Sequence, residues 1–296
     1  MPWLQLTLIT SQDYVEPIGD AMMGLGALSV TLMDAKDKPI LEPAPGETPL
    51  WQDVQMMMLF DADINTRSVL QNWKKHKLAE QSDQEKFEQI EDKDWEREWM
   101  DQFEPMKFGE NLWICPSWKP VPDENAVNVK LDPGLAFGTG THPTTALCLT
   151  WLDSADIKGK TIIDYGCGSG ILSIAALKLG AAKVFAVDID QQALIATKEN
   201  ARRNKILDER LEIGYPKDLE KIEVDIVVAN ILSGPLIELS TEIASLCKTN
   251  GLLAISGILD SQAVATRDAY QQWFKMDQPT FKEEWSLIHG TKRNAD

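Results

Sequence analysis

The stretch DYGCGSG, residues 164–170, has glycine at every second position from 166 onward. The apolar run KTIIDYG leads into it and predicts a buried strand, and the following SGILSIAALKLGA predicts a helix. In doubly wound α/β folds, a strand that ends in a glycine turn and feeds a helix forms a nucleotide-cofactor site. Glycine adopts φ values closed to other residues and lets the backbone approach a ligand closely. The stretch therefore predicts a cofactor-binding turn.

The spacing of these glycines differs from that of a dinucleotide-binding turn. The dinucleotide fingerprint is G-x-G-x-x-G, so a match that starts at Gly166 and Gly168 requires glycine at position 171. That position is Ile171, and the third glycine is Gly170. Asp164 also places a carboxylate beside the turn, where a pyrophosphate is disfavoured. The carboxylate suits a ligand with a cationic amino group, such as the methionine part of S-adenosylmethionine. A purely structural turn is the alternative.

A second acidic residue supports the same ligand. Asp188 ends the next predicted strand, KVFAVDID, 24 residues after Asp164. At that position a carboxylate accepts hydrogen bonds from both ribose hydroxyls of a nucleoside. The glycine turn, the two aspartates and the alternation of strands and helices together resemble the signature of class I methyltransferases. We therefore expect S-adenosylmethionine as the cofactor.

From Lys160 onward the chain alternates strands and helices, which predicts βαβ units and a mostly parallel sheet. The pattern includes a helix GPLIELSTEIASLCK that ends at Asn250-Gly251, and a helix SQAVATRDAYQQWF. PTFKEEW and WSLIHGTK predict a closing antiparallel pair. Before this region, residues 1–91 predict the order β-α-β-β-α-β of a ferredoxin-like α+β domain. Residues 92–103, DKDWEREWMDQF, predict a linker helix with Trp95, Trp99 and Phe103 on one face.

Charge and cysteine content restrict the partners of the protein. The 296 residues carry a net charge of −17, and residues 1–110 hold 10 Lys+Arg against 22 Asp+Glu. Such an acidic region repels phosphate backbones, so we expect no direct binding of nucleic acid. Four cysteines have no metal-ligand spacing, which predicts a reduced, metal-free protein. With no apolar membrane span and no targeting segment, we expect a cytoplasmic location.

Asn230 ends the predicted strand VDIVVANIL and is the candidate catalytic residue. In class I methyltransferases that act on amino groups, an Asn or Asp at this point begins a turn similar to N-P-P-Y. Its oxygens accept hydrogen bonds from the target nitrogen. Here the turn reads Asn230-Ile231-Leu232-Ser233, and the missing prolines and aromatic residue disfavour planar amide or base substrates. A helix N-cap or loop residue is the alternative interpretation of Asn230.

The loop DPGLAFGTGTHPTT, residues 132–145, precedes the main sheet. Its glycines around Phe137 and Gly138 predict a flap that folds over the cofactor. Thr144 and Thr145 stand at a predicted helix start, where we expect exposed N–H groups and hydroxyls. His142 is either a base or, as a histidine before proline, a structural residue.

Over nearly its whole length the chain resembles the PrmA family of ribosomal protein methyltransferases. The resemblance rests on DKDWEREW, DPGLAFGTGTHPTT, DYGCGSGILSIAA, VDID and ANIL. It implies a seven-stranded, Rossmann-like, mostly parallel sheet in residues 104–296, and an N-terminal domain that recognises the substrate. It also implies methylation of the eleventh large-subunit ribosomal protein at its α-amino group and lysine side chains, with up to three methyls each. By position, the cofactor-binding residues are Thr145, Gly166, Asp188 and Asn230.

Three other functions compete with this one. The first is another class I methyltransferase that acts on RNA or on a small amine, and the acidic charge disfavours RNA. The second is an NAD-dependent oxidoreductase, which Ile171 and Gly170 disfavour. The third is a non-catalytic module that binds a ribosomal protein. We expect a monomer with no membrane partner.

Overall fold

The structure is a computed structural model that describes residues 3–36, 38, 40, 48–90, 103–132, 142–219 and 222–294. The chain forms two compact units, Met1–Met100 and Asp101–Asp296. The predicted linker helix, apart from Phe103, and the predicted flap residues Phe137 and Gly138 lie outside the described residues. Across the described ranges, no helix combines the length and the apolar character needed to cross a membrane.

The first unit has the predicted ferredoxin-like order of elements. Its four strands form one antiparallel sheet, in which the second strand of the chain pairs with the third, the third with the first, and the first with the fourth. Alternate apolar residues of the two central strands, among them Leu8 and Met56, are buried with Trp73 of the second helix. Asn65 caps that helix, because its side chain accepts a hydrogen bond from Ser68 N at 3.0 Å. The elements are β1 (Trp3–Ser11), α1 (Val15–Gly24), β2 (Ser29–Asp34), β3 (Asp53–Phe60), α2 (Thr66–Lys74) and β4 (Ser82–Ile90).

The second unit contains a three-stranded sheet and a larger main sheet with helices on both faces. The elements of the unit are β5 (Met106–Phe108), β6 (Leu112–Cys115), β7 (Val127–Lys130), α3 (Pro143–Ser154), β8 (Thr161–Tyr165), α4 (Ile171–Lys178), β9 (Lys183–Val187), α5 (Gln191–Arg203), β10 (Leu211–Gly214), β11 (Val224–Asn230), α6 (Ser233–Glu238), α7 (Ser240–Ser245), β12 (Cys247–Leu259), α8 (Ala263–Tyr270), β13 (Phe274–Met276), β14 (Thr280–Lys282) and β15 (Trp285–Lys292). The small sheet has the order β5-β6-β7.

The main sheet runs in the order β10-β9-β8-β11-β12-β15-β13, and β14 pairs with β15 outside this series. Strands β8 to β12 are parallel, and β15 is antiparallel to β12. Seven strands therefore form the predicted mostly parallel sheet, and β14 makes an eighth. Consecutive side chains of a strand face opposite sides, so Ile162 and Ile163 belong to two different core clusters. Both faces of the central strands are buried, which explains their nearly continuous apolar sequence.

Two predicted helices end differently in the structure. The helix predicted over residues 234–248 is confirmed for most of its length, but it breaks into α6 and α7 and stops at Ser245, three residues before the predicted end. Cys247 already pairs with Val224 of β11, so sheet pairing takes over the residues that local sequence had assigned to the helix. The helix predicted through Phe274 stops at Tyr270, and Phe274 begins β13 beside β15. The predicted closing pair is confirmed as β14 and β15.

Candidate active site

The predicted site residues that the structure describes gather at the carboxyl ends of three adjacent parallel strands. The glycine turn of residues 166–170 follows β8, Asp188 follows β9, and Asn230 is the last residue of β11. The strand order reverses between β8 and β11, and ligands of doubly wound sheets bind in the crevice at such a point. We call this group, with Asp164 and Thr145, the carboxyl-edge site.

The backbone of the glycine turn adopts conformations that would be strained for any other residue. Gly166, Gly168 and Gly170 have φ of +79°, +53° and +77°, in the left-handed region. Gly168 N donates to a carboxylate oxygen of Asp188 at 2.9 Å, and Gly168 O accepts from Thr197 Oγ1 at 3.0 Å. The turn is therefore held on both sides by side chains of the next βα unit.

Asp164 lies in β8 behind this turn and is 1% exposed. Its Oδ2 accepts hydrogen bonds from the backbone N and the hydroxyl of Ser173, at 3.0 and 2.6 Å. Its Oδ1 is buried and has no hydrogen-bond partner among the residues that the structure describes. We call an oxygen in this state an open acceptor. Burial raises the pKa of Asp164 to about 6, against the opposing effect of the Ser173 hydrogen bonds.

Asp188 is half-buried, and each of its oxygens is fixed by the backbone. Oδ2 accepts from Gly168 N, and Oδ1 accepts from Asp190 N, both at 2.9 Å. The next residue, Ile189, is 86% exposed. An exposed aliphatic side chain beside a fixed carboxylate offers one apolar and one polar contact to the same ligand. Sequence patterns do not single out Ile189; the available signal is an isoleucine directly after the acidic end of a strand.

Asn230 provides a second open acceptor at the same edge of the sheet. Its Nδ2 donates to Thr145 Oγ1 at 3.4 Å, and its Oδ1 is buried with no partner in the described part of the chain. The N-cap of α6 is Leu232, so Asn230 does not cap that helix, and as the last residue of β11 it is not in a loop. The hydrogen bond to Thr145 fixes the side-chain amide and leaves its oxygen for another donor.

The expectation of exposed threonine hydroxyls at the start of α3 is wrong. Thr144 and Thr145 are both buried. Thr144 Oγ1 lies 2.7 Å from Nδ1 of His142, and Thr145 contacts Asn230 as described. The first turn of α3 packs into the protein, so these hydroxyls orient neighbouring side chains.

For His142, the structure favours a structural role over that of a base. It is the N-cap residue of α3, and its Nδ1 accepts a hydrogen bond from Thr144 N at 3.4 Å. A backbone N–H can only donate, so Nδ1 is unprotonated there. The ring packs edge-on against Trp285, with centroids 4.8 Å apart. Burial lowers the pKa of His142, which keeps the imidazole neutral at pH 7.

All four cysteines are free thiols and buried. Burial raises the pKa of Cys167 in the glycine turn and of Cys148 in α3, so both remain protonated. Within the described ranges, no group of three or more His, Cys, Asp or Glu side chains could hold a metal ion. The polar groups of the carboxyl-edge site are therefore carboxylates, amides, hydroxyls and backbone groups.

Comparisons with protein families, curated sequences and solved structures all give proteins of the same description. A family model described as "Ribosomal protein L11 methyltransferase (PrmA)" matches residues 2–293. Ribosomal protein L11 methyltransferases of Alteromonas mediterranea and Salmonella typhimurium are each 57% identical to the chain, and each alignment covers 99% of it and 100% of the relative. The crystal structure of a ribosomal protein L11 methylase from Lactobacillus delbrueckii subsp. bulgaricus is similar at a TM-score of 0.59 and 31% identity, covering 65% of this chain and 100% of that one.

Proposed function

The chain belongs to the ribosomal protein L11 methyltransferase (PrmA) family, and on that premise we propose that its carboxyl-edge site methylates amino groups of protein L11. The chain is a methyltransferase, and S-adenosylmethionine is its methyl donor. The acceptors in this proposal are the N-terminal α-amino group and lysine ε-amino groups, with up to three methyls each. The observation that carries the proposal is the open acceptor of Asn230, which lies beside the cofactor turn and can accept a hydrogen bond from an amine N–H.

The carboxyl-edge site fits this cofactor. The open acceptor of Asp164 is an oxygen for the cationic amino group of a methionine moiety, and its negative charge favours that cation. Asp188, already fixed by two backbone N–H groups, presents acceptors to ribose hydroxyls. The exposed side chain of Ile189 can cover an apolar base face. When bound, the cofactor supplies a methyl group that its sulfonium already activates toward an amine.

Asn230 would bind and orient the acceptor nitrogen. An amine N–H donated to Asn230 Oδ1 would satisfy a buried acceptor that otherwise costs about 1–3 kcal/mol. Because Thr145 fixes the amide, the hydrogen bond would set the direction of the nitrogen lone pair. Correct alignment of the reacting atoms is worth several kcal/mol of a barrier.

The acceptor amine must lose its proton before it attacks. For a lysine with a pKa of about 10.4, deprotonation at pH 7 costs roughly 4–5 kcal/mol, and for an α-amino group near 7.7–8.0 about 1 kcal/mol. A water-poor pocket lowers the pKa of an amine, because burial disfavours the charged form. Asn230 helps here too, since a neutral amide accepts an N–H bond without stabilising the ammonium as a carboxylate would.

In the same proposal, the N-terminal and C-terminal domains have different functions. Residues 1–91 recognise the substrate, residues 92–103 link the domains, and residues 104–296 carry methyl transfer. The acidic excess of residues 1–110 supports this, because it would attract a basic ribosomal protein and repel phosphate backbones. We further propose that the protein acts as a cytoplasmic monomer without direct contact to nucleic acid.

Three parallel incubations test the proposal. The enzyme is mixed with methyl-labelled S-adenosylmethionine and with purified L11, with L11 whose amines have been acetylated, or with ribosomal RNA. We expect label only in unmodified L11. Label in the acetylated protein would exclude amine methylation, and label in the RNA alone would favour the competing RNA methyltransferase. Calorimetric titration should show binding of S-adenosylmethionine and none of NAD.

A further inference from the structure

Ile231, the residue after Asn230, is held between two glycines from distant parts of the chain. A Cβ atom added at Gly166 would overlap the Cγ2 methyl of Ile231. A Cβ atom added at Gly257 would overlap the carbonyl oxygen of Ile231 and lie 2.7 Å from its carbonyl carbon. Gly166 begins the cofactor turn and Gly257 lies in β12, so Ile231 contacts the turn with its side chain and β12 with its backbone.

The contact at Gly257 depends on a β-bulge in β12. The pairing of β12 with β15 shifts between Ser256 and Ile258, which leaves Gly257 as an extra residue with φ of +86°. Two buried serines join the strands across the bulge, as Ser256 Oγ donates to Ser286 O at 2.8 Å and Ser286 Oγ donates to Ile258 O at 3.2 Å. The bulge is thus a fixed feature whose glycine lets the Ile231 carbonyl approach.

The other neighbour of Ile231 is the proposed acceptor site. Asn230 pairs with Ser256 in the parallel β11–β12 register, directly before the bulge. After Ile231 the chain turns at Leu232 into α6, and Ser233 Oγ lies 2.8 Å from Thr266 Oγ1 of α8. The peptide that links Asn230 to Leu232 is therefore fixed at both ends and against β12.

We propose that Gly257 and Ile231 are positioning residues that set the separation between the cofactor turn and the Asn230 carboxamide. This inference rests on the proposed function of the carboxyl-edge site. The bulge fixes the backbone of Ile231, and the branched side chain of Ile231 has a stiff χ1, so its Cγ2 methyl is a rigid spacer against Gly166. Neither residue contacts the reacting atoms; both act through Asn230 and the turn.

A double-mutant cycle tests the side-chain contact. Gly166→Ala should weaken S-adenosylmethionine binding about tenfold or more, because the new methyl overlaps Ile231 in addition to the strain of a positive φ. Adding Ile231→Leu should raise the affinity of Gly166→Ala for S-adenosylmethionine at least about threefold, since leucine lacks the methyl group on Cβ. Ile231→Val is the matched control: valine keeps the branched Cβ and should restore nothing. Calorimetry is done on six proteins: the wild type, Gly166→Ala, each single variant at position 231, and the two double variants.

An equal affinity of Gly166→Ala with and without Ile231→Leu would overturn the spacer role. This arm needs no methyl transfer, so its result is independent of the protein substrate. A wild-type enzyme that failed to bind S-adenosylmethionine would instead contradict the proposed function itself.

The backbone contact is tested with Gly257→Ala. We expect kcat for L11 to fall about tenfold or more, and KM for S-adenosylmethionine to stay within about threefold, because the acceptor segment moves relative to a turn that still binds. Ile231→Leu should not rescue it, since the overlap is with the carbonyl group. Gly159→Ala is the matched control: Gly159 has φ of +73°, and a Cβ there meets no atom of the described residues within 4 Å. That variant should lose only the thermal stability that a positive φ costs, without the overlap, and should keep its kcat.

A folded Gly257→Ala enzyme with the kcat of the wild type would contradict the role of the bulge. If Gly257→Ala does not fold, the cycle between positions 166 and 231 decides the proposal alone.

Discussion

Asp164 and Asp225 lie on the neighbouring central strands β8 and β11. Asp164 is near the carboxyl end of β8, and Asp225 is near the amino end of β11, so the two carboxylates are at opposite ends of the parallel strands. Asp225 is fully engaged: one oxygen accepts from the backbone N and hydroxyl of Thr161 at 2.8 and 2.7 Å, and the other from Lys248 Nζ at 2.9 Å. Although its partial burial acts in the other direction, these donors lower the pKa of Asp225 to about 2. Asp164 is deeply buried, keeps an open acceptor, and has its pKa raised to about 6.

The difference between the two carboxylates separates a residue that stabilises the fold from one that lowers stability at the proposed ligand site. At the amino ends of β8 and β11, Asp225 accepts hydrogen bonds from Thr161 and Lys248, and these bonds stabilise the folded state. At the carboxyl edge, Asp164 and Asn230 each keep a buried oxygen for a donor that the described chain does not supply. Open acceptors of this kind cost about 1–3 kcal/mol each. Two of them beside one glycine turn indicate a ligand site.

Removing the acceptor of Asn230 should have the largest effect. Asn230→Ala should lower kcat for L11 by about 10²–10³, the range found when one preorganised hydrogen-bonding group is removed from an active site. The dissociation constant of S-adenosylmethionine should change much less, because Asp164 and Asp188 remain. Steady-state kinetics and calorimetry on the same preparation separate the two. A tenfold or smaller loss of kcat, on the order of one ordinary hydrogen bond, would mean that Asn230 is only structural.

Asp164→Asn should change cofactor binding and stability in opposite directions. Without the negative charge, S-adenosylmethionine binding should weaken by roughly 2–3 kcal/mol. The ligand-free protein should become more stable at pH 8 by up to roughly 3 kcal/mol, because a buried charge is removed. Thermal melting with and without cofactor measures both quantities.

The pH dependence of the same carboxyl group has a defined sign. Its folded pKa of about 6 lies above the usual aspartate value of 3.8, so its contribution to stability is greatest below pH 3.8 and is lost as pH rises through 6. Cofactor affinity should follow the opposite course, because the cation binds the deprotonated carboxylate. In Asp164→Asn both dependences should disappear. A cofactor affinity that is constant between pH 5 and 8 in the wild type would contradict this role of Asp164.

Asp188→Ala should weaken cofactor binding by about 2–3 kcal/mol, the size of lost charge-assisted hydrogen bonds. Asp188 also accepts from Gly168 N, so part of the loss comes from a looser glycine turn. Asp190→Ala is a suitable control, because the side chain of Asp190 caps α5 through Gln192 N, and the variant keeps the backbone N–H that donates to Asp188. The control should lose stability and keep its affinity. Unchanged affinity of Asp188→Ala in calorimetry would remove Asp188 from the site.

Asp225→Asn should have the smallest effect, confined to stability. Because this carboxylate is about one-third exposed, solvent screening reduces the loss to roughly 1 kcal/mol. Its folded pKa of about 2 lies below the usual aspartate value of 3.8, so the stabilisation is present above pH 3.8 and lost as pH falls toward 2. Cofactor affinity and kcat should equal those of the wild type. A kinetic defect in this variant would show that the two edges of the sheet are not independent.

The sequence predicted those parts of the site that local pattern encodes. The turn at Gly166, the carboxylate of Asp188 and the strand end at Asn230 each follow an apolar strand, and parallel strands place their carboxyl ends at one edge. It failed where distant pairing decides the outcome. Cys247 joins β12 because Val224 is its partner, although the local sequence favours a helix. The contact of Gly257 with Ile231 depends on a register shift between β12 and β15, which no local pattern records.

The burial of Thr145 shows the same limit within the site. Threonine after proline at a helix start is typical of an exposed first turn. Only the packing of α3 on the main sheet turns its hydroxyl toward Asn230. The sequence therefore predicts which residues belong to the site, whereas their hydrogen-bond partners depend on the tertiary structure.

Intact-mass spectrometry of L11 after incubation with S-adenosylmethionine tests the central claim most directly. The wild-type enzyme and Asp225→Asn should both add methyl groups to L11, in series of up to three per amine. Asn230→Ala should leave L11 nearly unmodified, although calorimetry shows that it still binds the cofactor. Equal methylation by Asn230→Ala and the wild type, or an unmodified L11 after incubation with a wild-type enzyme that binds the cofactor, would contradict the account.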